Sequence, residues 1–316
     1  MSQLRTTTNN PLAWLFRRKD TFALETGRLN RTHPTAFLHF PKSAGTSFRV
    51  SLCGALGAKF AVEGFDHSIF GDFTQFDTIG DQFKSLIFGP SDLMPSSPCF
   101  VSGHFAASTL KKNYPRANFC TVLREPISRI LSFWLFWRQF NDEEAIGPWG
   151  PIWGERMCRA RRPIVDFLRD PELACLTDNL FVRMLLWPDP RIPRRGFISP
   201  QQAPALVADA LAELQRFNFV DYVENPDFVR NVEEWIIAPF ALQRLNETRS
   251  AHPQFPVILD SELTAEANAL LGQNSRMDFE LWGKIVKARS PKADIRSLQA
   301  RTLRENIAHF RAVQSG

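Results

Sequence analysis

Thr35-Ala36-Phe37-Leu38-His39-Phe40-Pro41-Lys42-Ser43-Ala44-Gly45-Thr46-Ser47 sets the reading of this chain. Its first six residues are mostly apolar and stopped by a proline, the pattern of a buried strand. Pro41 to Gly45 reads as a tight loop. A helix is predicted to begin near Thr46 or Ser47, because Phe48, Leu52, Ala55 and Leu56 follow at helical spacing. A strand, a glycine turn and a helix start leave backbone N–H groups free to meet an anion. Gly45 permits close backbone approach, Thr46 and Ser47 add hydroxyls, and Lys42 adds a mobile positive charge. The same letters also fit an ordinary strand–turn–helix with N-capping. No G-x-x-x-x-G-K-[ST] motif occurs.

Working outward, two further apolar runs end in polar residues. Cys99 to Ser102 reads as a buried strand ended by Gly103-His104, and Asn118 to Leu123 as another ended by Arg124. Pro126 then fits a first helical turn, where its missing N–H costs nothing. Ile127, Ile130, Leu131, Trp134 and Leu135 form that helix's apolar stripe. Phe219 to Val223 is a fourth strand, and Ala241 to Leu245 a weaker fifth. Residues 57–98 read only as loops with short elements, and 141–163 as a surface excursion. Helices are expected at 164–169, 177–186, 203–217, 227–237, 262–289 and 293–313. Strands alternating with helices predict one α/β domain over 35–316, with a mostly parallel central sheet flanked by helices. An irregular arm, 1–34, precedes it. In the arm, Pro11 to Phe16 followed by Arg17, Arg18 and Lys19 either touches a membrane surface or belongs to a docked segment.

In an open parallel sheet, ligands bind outside the carboxyl ends of the strands. Here three such ends offer Lys42 to Ser47, His104, and Arg124 with Ser132 a further turn or two along the helix. An Arg fork plus a hydroxyl suits a phosphate, each charge-assisted bond contributing about 1.5–3 kcal/mol. Ser128 and Arg129 lie close by, and an ion pair of Arg124 with Glu125 or with a carboxylate elsewhere is the plain alternative.

Composition narrows the partners. The 316 residues carry 38 Lys and Arg, of which 29 are Arg, against 33 Asp and Glu. A net +5 is too mild for a dedicated nucleic-acid binder but favours anionic ligands. The charge is front-loaded: residues 1–140 hold 16 basic and 9 acidic side chains, and residues 196–316 hold 13 and 15. Five cysteines, odd in number and without C-x-x-C spacing, argue for reduced, buried thiols rather than a disulfide scaffold or a zinc site. No apolar run approaches the roughly 20 residues of a membrane helix, and no secretory signal is apparent, so a cytoplasmic location is expected.

The segment Phe37 to Ser47 resembles the 5′-phosphosulfate loop of the family 2 sulfotransferases. That group includes the heparan-sulfate 2-O- and 6-O-sulfotransferases and bacterial relatives. Thr121-Val122-Leu123-Arg124-Glu125-Pro126-Ile127-Ser128-Arg129-Ile130-Leu131-Ser132 is similar to that family's 3′-phosphate segment, in which a Ser stands eight residues after the Arg. Glu125 replaces the family's usual Asp. Ser102-Gly103-His104 matches its Gly-His strand end. Weaker similarities lie at Asp178-Asn179-Leu180 with Arg183, at Phe219 to Glu224, at Leu245-Asn246 and at Asp278 to Trp282, so the resemblance spans about residues 35–285.

The resemblance implies a P-loop-NTPase-like sulfotransferase fold and a transferase that uses 3′-phosphoadenosine 5′-phosphosulfate (PAPS). It would release 3′-phosphoadenosine 5′-phosphate (PAP) and need no metal. Lys42, Ser43, Ala44, Gly45, Thr46 and Ser47 would hold the 5′-phosphosulfate, and Arg124 and Ser132 the 3′-phosphate. His104 would be the general base, with Lys42 stabilising charge on the departing oxygen. His39 is the rival base, although alternation directs it into strand packing. The implied acceptor is a carbohydrate or glycolipid hydroxyl. Arg156, Arg159, Arg161 and Arg162 could bind an acidic glycan or form a solvated face, and Trp134, Trp137, Trp149 and Trp153 could stack on sugars or pack the core. Two other readings are an ATP-dependent phosphoryl transferase and a non-catalytic nucleotide or glycan binder.

Overall fold

A computed structural model describes residues 22–24, 27–243, 245 and 249–315. The strands are β1 (Thr35–Leu38), β2 (Ala61–Asp66), β3 (Ile87–Phe88), β4 (Phe100–His104), β5 (Asn118–Leu123) and β6 (Phe219–Tyr222). They form one sheet in the order β3-β2-β4-β1-β5-β6, every pair parallel. The fold class is therefore α/β. Leu38 stands opposite both Gly103 and Thr121, so the loops after β1, β4 and β5 leave the sheet side by side.

The helices nearest the site or the sheet are α1 (Gly45–Leu56), α2 (Ala107–Asn113), α3 (Pro126–Trp137), α4 (Pro151–Cys158), α5 (Leu180–Leu186), α6 (Ala203–Leu214), α7 (Phe228–Ile236), α8 (Ala265–Asn274), α9 (Arg276–Arg289) and α10 (Ile295–Ser315). Strand alternation divides the core between the two faces. Phe37, Phe100, Cys120, Val122 and Phe219 pack with Phe48 and Leu52 of α1 and with Val232 and Trp235 of α7. Ala36, Leu38, Val101, Leu123 and Val220 belong to the larger cluster with α2, α3, α5, α6 and α9.

Several expectations need correction. The strand expected over 35–40 ends at Leu38, though the His39 N–H still reaches the Gly103 carbonyl at 3.1 Å. Residues 57–98 contain β2, a full six-residue strand, as well as short β3. The expected strand at Ala241 to Leu245 does not form in its described residues. Serine hydroxyls of α1 take up its amides: Gln243 N–H donates to Ser51 Oγ and Leu245 N–H to Ser47 Oγ, both at 2.9 Å. The stretch 141–163 is packed rather than a surface excursion. Trp153, Met157, Ala160 and Arg161 are buried.

The end of the N-terminal arm is docked on the sheet. Leu29 N–H donates to the Trp235 carbonyl, and Asn118 bonds the backbone of Asn30, His33 and Pro34. Pro11 to Lys19 and Asn246 lie outside the described residues. All five cysteines are unpaired thiols; Cys120 and Cys175 are buried, but Cys99 is exposed, against the expectation of uniform burial. Among the described residues no helix is long and apolar enough to cross a membrane.

Candidate active site

The three adjacent strand ends open into one cavity of about 1020 Å³, near the upper end of the range for ligand pockets. His39, Lys42, Ala44, Gly45, Thr46, Ser47, His104, Arg124 and Ser132 all line it. Ser43 does not: it is buried, and its Oγ has no hydrogen-bond partner among the described residues.

The loop after β1 has an unusual backbone. Lys42 and Ala44 both adopt positive φ, 63° and 55°. Each costs a non-glycine residue on the order of 1 kcal/mol, and such loops turn successive amides toward one concavity. Helix α1 begins at Gly45 with no side-chain cap, leaving its first-turn amides for a ligand or water. Thr46 makes no side-chain hydrogen bond among the described residues. The Ser47 hydroxyl, in contrast, is tied to Leu245, accepting from its N–H and donating to its carbonyl at 3.1 Å. What approaches Gly45 closely is a side chain: a Cβ there would stand 1.9 Å from Cδ2 of His39.

Lys42 Nζ lies 4.3 Å from the Phe136 ring centroid and has no carboxylate within ion-pair distance among the described residues. Burial and the nearby Arg124 guanidinium push its ammonium down to about 8. Arg124 likewise forms no ion pair among the described residues. It donates to the Lys42 carbonyl at 3.1 Å and to Asn306 Oδ1 at 2.7 Å. Glu125 instead caps α3, accepting from the N–H groups of Ile127 and Ser128. Ser132 is near-buried on the cavity wall. Arg129 turns away into the core, where it donates to the Leu176 carbonyl and lies under Phe181.

His104 Nδ1 lies 2.7 Å from the His39 carbonyl. A carbonyl only accepts, so Nδ1 carries the proton and Nε2 keeps its lone pair. Burial pushes His104 down to about 4; its bond to His39 opposes this and Lys42 adds to it. The imidazole is therefore neutral at pH 7. Gly103 makes the strand end possible: a Cβ there would meet the Gly64 carbonyl oxygen at 2.1 Å. His39, expected in strand packing alone, both stacks on Phe37 and lines the cavity, 4.5 Å from the His104 ring. Burial, then His104 and nearby cations, hold it well below the usual histidine range. His67 lies outside the cavity, stacked on Phe76.

Two contributors escaped the sequence reading. Helix α10 forms a wall through Thr302, Asn306 and Phe310, and Asn306 links Arg124 to Ser128 Oγ. After β6, Glu224 reaches the cavity, where its carboxylate accepts from Glu125 N–H and Trp282 Nε1. Burial pushes it up to about 6. The signals for Glu224 were its place just past a strand end and its position at the close of the Phe219–Glu224 similarity, and nothing in the tail marked Asn306. Among the described residues no group of three His, Cys, Asp or Glu side chains is placed to hold a metal. No protein-family model and no curated protein matches the chain.

Proposed function

We propose that the protein is a PAPS-dependent sulfotransferase acting on an acceptor hydroxyl, on a P-loop-NTPase-like scaffold. One observation carries the reading. Two cations that form no ion pair among the described residues, Lys42 and Arg124, leave adjacent strands into the same cavity as an uncapped helix N-terminus and a neutral histidine, with Glu224 and Glu125 close enough to Arg124 to act on it only at longer range. That set suits one small donor with an anionic group at each end. A phosphate against the amides of Gly45, Thr46 and Ser47 would be favoured by the helix dipole. Arg124, held by Asn306, with Ser132 beside it, would take the second phosphate. The donor-binding set differs from the sequence expectation in two places: Ser43 is outside the cavity, and Ser47 contributes its amide rather than its hydroxyl.

PAPS supplies an activated sulfuryl group. In transfer, the acceptor oxygen forms a bond to sulfur while the bond from sulfur to the donor's phosphate oxygen breaks. The electron pair leaves with PAP. His104 Nε2 takes the acceptor's proton, a role worth about 10²–10⁴-fold in rate. Lys42 stabilises the charge that grows on the departing oxygen.

The test is transfer of labelled sulfate from PAPS, followed as PAP release, by the wild type and by His104→Ala. Turnover should fall at least 100-fold in the variant while its PAP affinity stays within twofold. Unchanged turnover would remove His104 from the chemistry, and consumption of ATP with Mg²⁺ in place of PAPS would replace the reading with phosphoryl transfer.

A further inference from the structure

The cavity continues past His104 along a chain of aromatic rings. Phe65 of β2 has its centroid 5.5 Å from that of His104 and 5.8 Å from that of Trp149. Trp149 stacks on Phe83 at 4.1 Å, and Phe70 bridges Trp149 and Trp153. All five rings line the cavity. The arginines that could have served an acidic glycan are engaged elsewhere. Arg156 pairs with Asp72 and Glu172, Arg159 with Asp170, and Arg161 with Asp142; Arg162 faces Asp170 at 3.9 Å. None of the four lines the cavity. The charge that the 141–150 segment does bring to the wall is a carboxylate, Glu144. An anionic acceptor would meet repulsion there, whereas an apolar body would exchange water for aromatic surface.

Resting on the sulfotransferase reading, we infer that the acceptor is an uncharged alcohol whose hydroxyl is borne on an apolar chain or ring. The body lies along Phe65, Phe83 and Trp149, which Phe70 backs from the core, and the hydroxyl meets His104 Nε2. The acidic-glycan acceptor suggested by the arginine cluster is set aside. The alcohol's proton passes to His104, its oxygen bonds to the sulfur, and PAP departs.

Each methylene buried along this aromatic extension of the cavity should raise kcat/KM about threefold to fourfold until the extension is full. The experiment measures PAP release from PAPS with n-alkanols from butanol to decanol, a phenylalkanol, glucose and an acidic oligosaccharide, alongside calorimetric PAP binding. The expected result is a rise of about threefold to fourfold per methylene. Trp149→Ala and Phe83→Ala should flatten that slope and leave PAP affinity within twofold. Should a variant fail to fold, the wild-type slope decides. Preference for the acidic oligosaccharide, or rates independent of chain length, with PAP binding intact, would overturn the acceptor inference alone. Absence of both PAP binding and PAP release would overturn the donor reading beneath it.

Discussion

At the scale of single residues, the cavity holds two groups whose titrations are displaced in a way that suits transfer at neutral pH. His104, lowered to about 4, is a free base throughout the physiological range. Lys42, lowered to about 8, is still charged at pH 7 but loses its proton as pH rises through 8. The limbs that these two groups set in kcat/KM should lie near 4 and near 8, with Glu224, raised to about 6 in the same cavity, titrating between them. Lys42→Arg, charged at every accessible pH, should carry the alkaline limb beyond about 9. An acid limb near 6.5 that persists in Glu224→Gln would contradict the buried, neutral His104. The close contact of Gly45 with the His39 ring makes a second prediction. Gly45→Ala should destabilise by about 1–3 kcal/mol, read from the denaturant midpoint, and His39→Ala should recover most of that loss in the double variant. A fully stable Gly45→Ala would show that the ring moves aside freely.

At the scale of elements, what was legible in the sequence follows from how each element is buried. β1, β5 and the start of α3 could be read because each is a short apolar run bounded by a proline or a charge, and all are covered on both faces. β2 could not: Ala61-Val62-Glu63-Gly64-Phe65-Asp66 alternates exposed and buried positions over part of its length and carries a glycine at close approach to Leu86 and Phe88 of the β3 segment. The 141–163 stretch looked like surface because Trp, Pro, Gly and charge dominate it. Its arginines are nonetheless paired, and Arg161 is buried beside Phe255. His39 keeps the alternation, its ring stacked on Phe37, but at the end of the strand that face also opens onto the cavity.

Helix α10 was visible as a helix but not as a wall, since its contribution rests on long-range contacts, first among them the bond from Arg124 to Asn306. That bond has a measurable consequence. Asn306→Ala should weaken PAP binding roughly tenfold, the scale of one hydrogen bond to a charged group, and leave 5′-AMP binding unchanged. Equal weakening of both ligands would place Asn306 outside the 3′-phosphate contact.

At the scale of the molecule, the sheet order β4-β1-β5 brings together three polar strand ends that are dispersed over some eighty residues of chain. The front-loaded positive charge is the composition-level trace of this arrangement, and Lys42 and Arg124 are two cations at the cavity that form no ion pair among the described residues. The central claim is that these two cations hold the two anionic ends of one donor. Calorimetric titration of the wild type and Arg124→Ala with PAP and with 5′-AMP tests it most directly. The wild type should bind PAP at least tenfold more tightly than 5′-AMP, and Arg124→Ala should lose that preference. Equal affinities in the wild type, or an undiminished preference in the variant, would contradict the account.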